Sequence, residues 1–171
     1  MPEPTDSSQR ECIRNEVSRV HESAVFSAQG QFEAAKGWRA LHWCLGGLTA
    51  ALSAFAAVLT FASNAQVLTG ILAVAAALAA AILTSSRPDR LAERAEAKAN
   101  GYTTLRNDAR RLHHIHVPHD PIPSLQQALD ALAARASDLD HTSDPIPRFA
   151  YKKAKRNIEH EGGQRFGVDT A

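Results

Sequence analysis

The chain has 171 residues, 19 of them basic and 18 acidic, for a formal charge of +1. That length holds one domain or a little more, and so small a net charge excludes bulk electrostatic attraction as the basis for choosing a partner. The slightly negative mean hydropathy has the look of a soluble protein, but it averages two unlike regions. No Asp, Glu, Lys or Arg occurs between Ala40 and Ser86, while charges crowd the remainder. Cys12 and Cys44 make neither a disulfide framework nor a CxxC zinc signature, and a reducing cytosolic setting is expected for them. Residues 1–35 lack the basic segment and early apolar run of a secretory leader.

The first element, within residues 1–39, reads as a cytoplasmic helix from about Ser7. Ile13, Val17, Val20 and Ala24 fall at i, i+4, i+7 and i+11, which lines one helical face with apolar groups. Gly30 is a point where a kink or an interruption is expected, and the helix is expected to run on into the next segment near Lys36.

Residues 40–86 form the charge-free block. It divides into spans 40–62 and 65–86, joined by a small polar tip at 63–66. Crossing about 30 Å of hydrocarbon takes about 20 apolar residues at about 1.5 Å each, and both spans reach that length without a proline. A soluble core helix ends in caps and charges after about 10–14 residues, so a transmembrane hairpin is expected. Lys36 and Arg39 precede it, and Arg87, Arg90, Arg94 and Lys98 follow it, while the tip has no basic residue. By the positive-inside rule both termini are cytoplasmic, with Trp38 and Trp43 at the interface.

Within the first span, Gly46, Thr49, Ser53 and Thr60 share a stripe of small and hydroxylated residues with His42 and Ala56. Leu45, Leu48, Leu52, Phe55 and Leu59 lie on the opposite surface. Two readings stand: the stripe lines a lumen in an oligomer, or it is a seam where small residues let helices approach closely. Gln66, Gly70, Ala73, Ala77, Ala80 and Thr84 form a comparable face in the second span, which favours the seam. No ionisable Asp, Glu, Lys or Arg sits in mid-span, which argues against a pump or selective transporter. A hairpin by itself encloses no lumen, so a pore requires self-association.

Residues 87–160 read as a cytoplasmic helical region. Pro88 suits a helix start. Leu91, Ala95, Lys98, Tyr102, Leu105, Ala109, Leu112 and His116 follow 4-3 spacing, a heptad seam for another helix. HDPIPS at 119–124 and SDPIPR at 143–148 are two stiff breakers, with Ser124 expected as an N-cap. Between them Leu125, Leu129, Leu132, Ala136 and Leu139 repeat the 4-3 spacing, so this helix can pair with the preceding seam. Leu91, Tyr102, Leu105, Leu112, Leu125, Leu129 and Leu132 are the candidate oligomer seam. The basic segment RFAYKKAKR reads first as a solvated helix face and next as a contact to anionic lipid, through Arg148, Lys152, Lys153, Lys155 and Arg156, each worth about 1 kcal/mol near a charged surface. Five charges on one short helix give little nucleic-acid affinity at physiological salt, so no nucleic-acid partner is expected. Residues 161–171 read as a disordered tail.

Chemistry-bearing motifs are sparse. GxSxG, Walker, GxGxxG and HExxH patterns are absent from the sequence, and Asp130, Asp138 and Asp140 read as a polar helix face. His113, His114, His116 and His119 with Asp120 do not follow a standard zinc spacing and read as a solvated, pH-sensitive helix end. Neither catalysis, a cofactor nor a metal is expected.

AQGQFEAAKGWRALHWCLGG, the hairpin with its short tip, and LDALAARASDLDHTSDPIPRFAYKKAK together resemble the SLATT family, two-transmembrane effectors associated with SMODS nucleotidyltransferases and SLOG proteins in bacterial conflict systems. The resemblance spans about residues 25–156. His141, Thr142 and Ser143 intervene before the Pro-x-Pro turn, and HHIHVPHDPIP matches no part of the family pattern. The resemblance implies an antiphage effector that is triggered by a nucleotide-derived signal or a sensor from the same operon and permeabilises the inner membrane. The reading as a whole is an all-α membrane protein that oligomerises in the lipid bilayer. An anchored adaptor without pore activity and a holin-like lysis protein are its alternatives.

Overall fold

A computed structural model of the chain describes residues 6–62 and 66–163. Among the described residues every regular element is helical: α1 (Asp6–Ala62), α2 (Gln66–Ser86), α3 (Pro88–Arg111), a π-helical turn (Leu112–His116), α4 (Val117–His119), α5 (Ile122–Thr142) and α6 (Arg148–Glu159). They belong to two compact units. One is built from the described residues up to Ala34 and from Ala95 onward, the other from Ala35 to Arg94.

The first unit has the only extended core among the described residues. Ile13, Val17, Ala24 and Ala28 of α1 meet Tyr102, Leu105 and Ala109 of α3, Leu112 and Val117 beyond it, and Ile122, Leu125 and Leu132 of α5. The sequence spacing explains this arrangement, because each helix carries its apolar groups on one face and three such faces enclose a core. The pairing of α5 with the seam of α3 is therefore present within one chain. It also reassigns the candidate oligomer seam. Tyr102, Leu105, Leu112, Leu125 and Leu132 are buried inside the unit, and Leu129 packs against the same core. A second copy reaches them only if the bundle opens. Leu91, in the other unit, is half-buried.

Two glycines admit close neighbours. α1 continues through Gly30 without interruption. A Cβ at Gly30 would lie 2.8 Å from Ile146 Cδ1, and Gln31 Nε2 donates to the Asp144 carbonyl at 3.1 Å. These contacts fasten the second Pro-x-Pro segment to α1. Likewise a Cβ at Gly101 would lie 2.8 Å from Leu139 Cδ2, so the missing side chain lets α5 come close to α3. Gly30→Val should push Ile146 out of its seat. Limited proteolysis should then cut within 143–148 several-fold faster, and an unchanged cutting rate would remove Gly30 from this role.

The two DPIP copies behave differently. In the first, Asp120 and Pro121 are extended and α5 starts at once at Ile122. Ser124 is therefore not the N-cap. It lies inside the first turn, where its hydroxyl donates back to the Pro121 carbonyl at 2.7 Å. In the second copy the chain stays irregular through Pro147, and α6 starts at Arg148.

Asp140 belongs to more than a solvated face. The buried Tyr102 hydroxyl donates to its carboxylate at 2.7 Å and lies 3.2 Å from the Ser143 hydroxyl. Burial, aided by the Asp140 charge, pushes the Tyr102 phenol up to about 12. The segment expected to be a disordered tail begins with order: Glu161 accepts from Arg156 Nε at 3.1 Å and from Asn157 Nδ2 at 3.2 Å. Positions 164–171 and the tip at 63–65 lie outside the described residues.

Candidate functional site

The Ala35–Arg94 unit has two helical segments long and apolar enough to cross a membrane. Their most apolar windows are only 6% and 11% buried, whereas the core helix of a soluble protein would be mostly buried. Among the described residues, twelve of the fifteen exposed large apolar side chains lie between Leu41 and Ile82. They include Trp43, Phe55 and Phe61 from α1 and Val67, Val74 and Leu78 from α2. An exposed apolar surface this large and continuous marks a site of interaction.

The covered face of each segment is narrower and is rotated from the expected stripes. In α1 it comprises Leu45, Thr49, Leu52, Ala56 and Leu59; in α2 it comprises Thr69, Leu72, Ala76, Ala79 and Leu83. Thr49 and Gly46 are half-buried, but Ser53 and Thr60 are exposed. Nothing lies within 4 Å of a Cβ placed at Gly46, so no close approach depends on that glycine. The hydroxyls of Thr49 and Thr60 donate to their own helix, to the Leu45 and Ala56 carbonyls at 2.8 Å each. The small-residue stripe is thus split between a covered edge and an exposed surface. On the α2 side, Gly70, Ala73, Ala77 and Thr84 are exposed, and of that face only Ala80 is partly covered.

At the junction with α3, Arg87 adopts a left-handed backbone (φ 43°) and Pro88 opens the next helix. Arg87 N–H closes the last turn of α2 on the Leu83 carbonyl at 3.2 Å.

The histidine region has a definite place in the first unit. Val117 N–H bonds the Leu112 carbonyl, five residues back, which makes this turn a π-helix. The rings of His113 and His114 lie 4.6 Å apart, edge to face. They line a half-open cavity of about 190 Å³ with Ser18 and His21 of α1 and Arg110 of α3. His116 instead bonds Asp120 through Nδ1 at 2.9 Å, and Arg10 on α1 donates to the Val117 carbonyl at 2.7 Å. Among the described residues no group of three or more His, Cys, Asp or Glu is placed to hold a metal ion.

Burial lowers the His21 pKa below 6.5, and the positive fields of Arg106, Arg110, His113 and His114 lower it further. His113 is lowered by burial first, then by His114 and Arg14. The unfolded chain therefore binds protons more readily than the folded one as pH falls below about 6.5. Stability conferred by these neutral histidines is full above that pH and is lost as pH falls through their lower folded values. A thermal melt in detergent should show a falling Tm between about pH 7 and pH 5, and His21→Asn should flatten the slope. A Tm independent of pH in that window, or a rising one on acidification, would contradict the assignment.

Nothing in the chain's hydropathy or motifs pointed to this cavity, because its lining comes from separate segments. The usable signal was positional: Ser18 and His21 flank the α1 apolar stripe, and Arg106, Arg110 and His113 flank that of α3.

The basic residues of α6 are all exposed, while Ala150 and Ala154 face inward. Lys155 lies 3.8 Å from Glu159 and Arg156 3.1 Å from Glu161. Two of the five candidate lipid contacts are thus already paired with carboxylates, and Arg148, Lys152 and Lys153 carry the rest of the positive face beside the exposed Phe149 and Tyr151.

No family model, no curated protein and no solved structure matches the chain.

Proposed function

We propose that the chain is a bacterial inner-membrane effector of the SLATT kind, not an enzyme. In this reading α2 and the apolar half of α1 form a transmembrane hairpin with both termini cytoplasmic. The chain self-associates and permeabilises the membrane when a nucleotide-derived signal or a partner sensor acts on its cytoplasmic unit.

The observation that carries the reading is the exposure of the apolar segments. Each large side chain left in water forgoes about 1.5–3 kcal/mol of burial energy, and twelve of them are exposed between Leu41 and Ile82. Hydrocarbon removes that penalty, and α-helices satisfy their own backbone groups there. The covered faces, Leu45-Thr49-Leu52-Ala56-Leu59 and Thr69-Leu72-Ala76-Ala79-Leu83, both repeat at three and four residues, which suits an antiparallel pair. The flanking Arg and Lys residues support the orientation.

The test is entry of a membrane-impermeant dye after induced expression in bacterial cells together with the candidate synthase or sensor. Uptake and growth arrest are expected. Intact, growing cells at high expression with the trigger present would overturn the pore. Because Ser53 and Thr60 are exposed, Ser53→Leu and Thr60→Leu should change leakage while leaving the oligomer intact if they face a lumen.

One observation favours an alternative. Five of the seven heptad residues expected to join copies, Tyr102, Leu105, Leu112, Leu125 and Leu132, are buried within a single chain, so that seam is not open for assembly. This fits an anchored adaptor whose helices dock a sensor. Crosslinking in membranes separates the two readings: a pore requires a discrete ladder of oligomers, and an anchor requires none.

A further inference from the structure

The cavity beside α1 and α3 is built almost entirely from basic groups. Its lining comprises Ser18 and His21 from α1, Arg110 from α3, and His113 and His114 from the π-helical turn, with no carboxylate. Every charge that acts on His21 or His113 is also basic: Arg14 from α1, Arg106 and Arg110 from α3, and the neighbouring histidines. Asp108 belongs to a separate groove of about 410 Å³, where it pairs with Arg111 and Arg135.

We propose that the histidine-lined cavity is a binding site for a phosphate group, whether of a soluble phosphate or of a lipid monophosphate headgroup. Arg110 supplies a permanent, forked donor suited to phosphate oxygens. The Ser18 hydroxyl donates to the Arg14 carbonyl at 2.9 Å and reaches an anion only by turning from it, while His21 and His113 add N–H donors that become cationic on protonation. A volume of about 190 Å³ has room for one phosphate group with part of its hydration shell. It is below the range of pockets that enclose a whole drug-sized ligand, so recognition centres on the phosphate.

Binding and proton uptake are linked. The empty cavity disfavours charged histidines, because they face burial and one another. A bound dianion reverses the electrostatic part, raises both pKa values and is held more tightly as pH falls. The spacing of Arg110, His113 and His114 at i, i+3 and i+4 puts all three on one helical side, facing Ser18 and His21. The inference goes beyond the membrane reading and does not depend on whether the spans form a pore.

The test uses the full chain in nanodiscs of phosphatidylcholine, titrated with sodium sulfate, a phosphate isostere whose charge stays fixed across the range. Sodium chloride at equal ionic strength is the control. Histidine ring resonances report occupancy. Affinity should fall about tenfold between about pH 5.5 and pH 7.5, and the His21 and His113 pKa values should rise on saturation. Arg110→Gln should weaken binding at least about tenfold, while Arg135→Gln, equal in charge loss but outside the cavity, should change it less than about twofold. If Arg110→Gln impairs folding, His113→Gln with His114→Gln, at exposed or half-exposed positions, should flatten the pH dependence instead. Sulfate binding in phosphatidylcholine discs assigns a soluble source. Arg110-dependent shifts seen only when the discs contain phosphatidic acid assign a lipid headgroup. No shift with either probe, or equal losses for Arg110→Gln and Arg135→Gln, would overturn the proposal.

Discussion

Leu78→Arg is expected to abolish stable membrane integration of the chain. Leu78 lies near the middle of α2 and is 61% exposed. On a soluble protein an arginine at such a position changes stability by less than about 0.5 kcal/mol. At the centre of a membrane helix the same charge costs about 2.5–3.5 kcal/mol, a factor of about a hundred in insertion. Carbonate extraction and detergent-phase partition should find the variant released or degraded. Ile115→Arg, at another exposed apolar position but in the other unit, should leave partition unchanged. Equal and mild effects at both positions would mean that α2 is not in hydrocarbon.

The second large effect belongs to the helical core. Leu125 is fully buried among Val17, Leu105 and Leu132. Leu125→Ala should destabilise that unit by about 2–5 kcal/mol, the transfer energy of the lost atoms plus the cavity left behind. Denaturant titration in mild detergent measures it. Leu129→Ala, at the partly buried edge of the same core, should cost clearly less. The pair also separates two uses of one heptad pattern. If the seam joins copies rather than helices of one chain, Leu125→Ala will shift the oligomer distribution and leave monomer unfolding where it was.

These contrasts show how far the residues could be read in one dimension. The charge-free run from Ala40 to Ser86 announced the two apolar segments, and the apolar stripes of α1, α3 and α5 announced amphipathic helices. Heptad spacing says that a face is covered but not by what. Ile13 and Val17 lie about 90 residues before Leu105, and no periodicity states that they meet. The stripe in the first span shows a related limit. Gly46, Thr49, Ser53 and Thr60 were grouped by size, whereas the covered face mixes large and small residues as Leu45, Thr49, Leu52 and Ala56. The DPIP copies look equivalent as text, yet the helix starts inside one and after the other. The basic cavity was illegible because Ser18 and His21 meet Arg110, His113 and His114 only when α1 packs on the end of α3 and the turn that follows it.

If two apolar segments cross the bilayer and leave the rest of the chain on the cytoplasmic side, cysteine accessibility will show it directly, since Cys12 and Cys44 are free and exposed. With Cys44→Ser as background, a membrane-impermeant maleimide is applied to intact spheroplasts and to lysed ones. A cysteine introduced by Gln66→Cys should label from outside, and Cys12 only after lysis. Labelling of Cys12 in intact spheroplasts, labelling of position 66 only after lysis, or a chain that stays monodisperse in buffer without detergent would contradict the account.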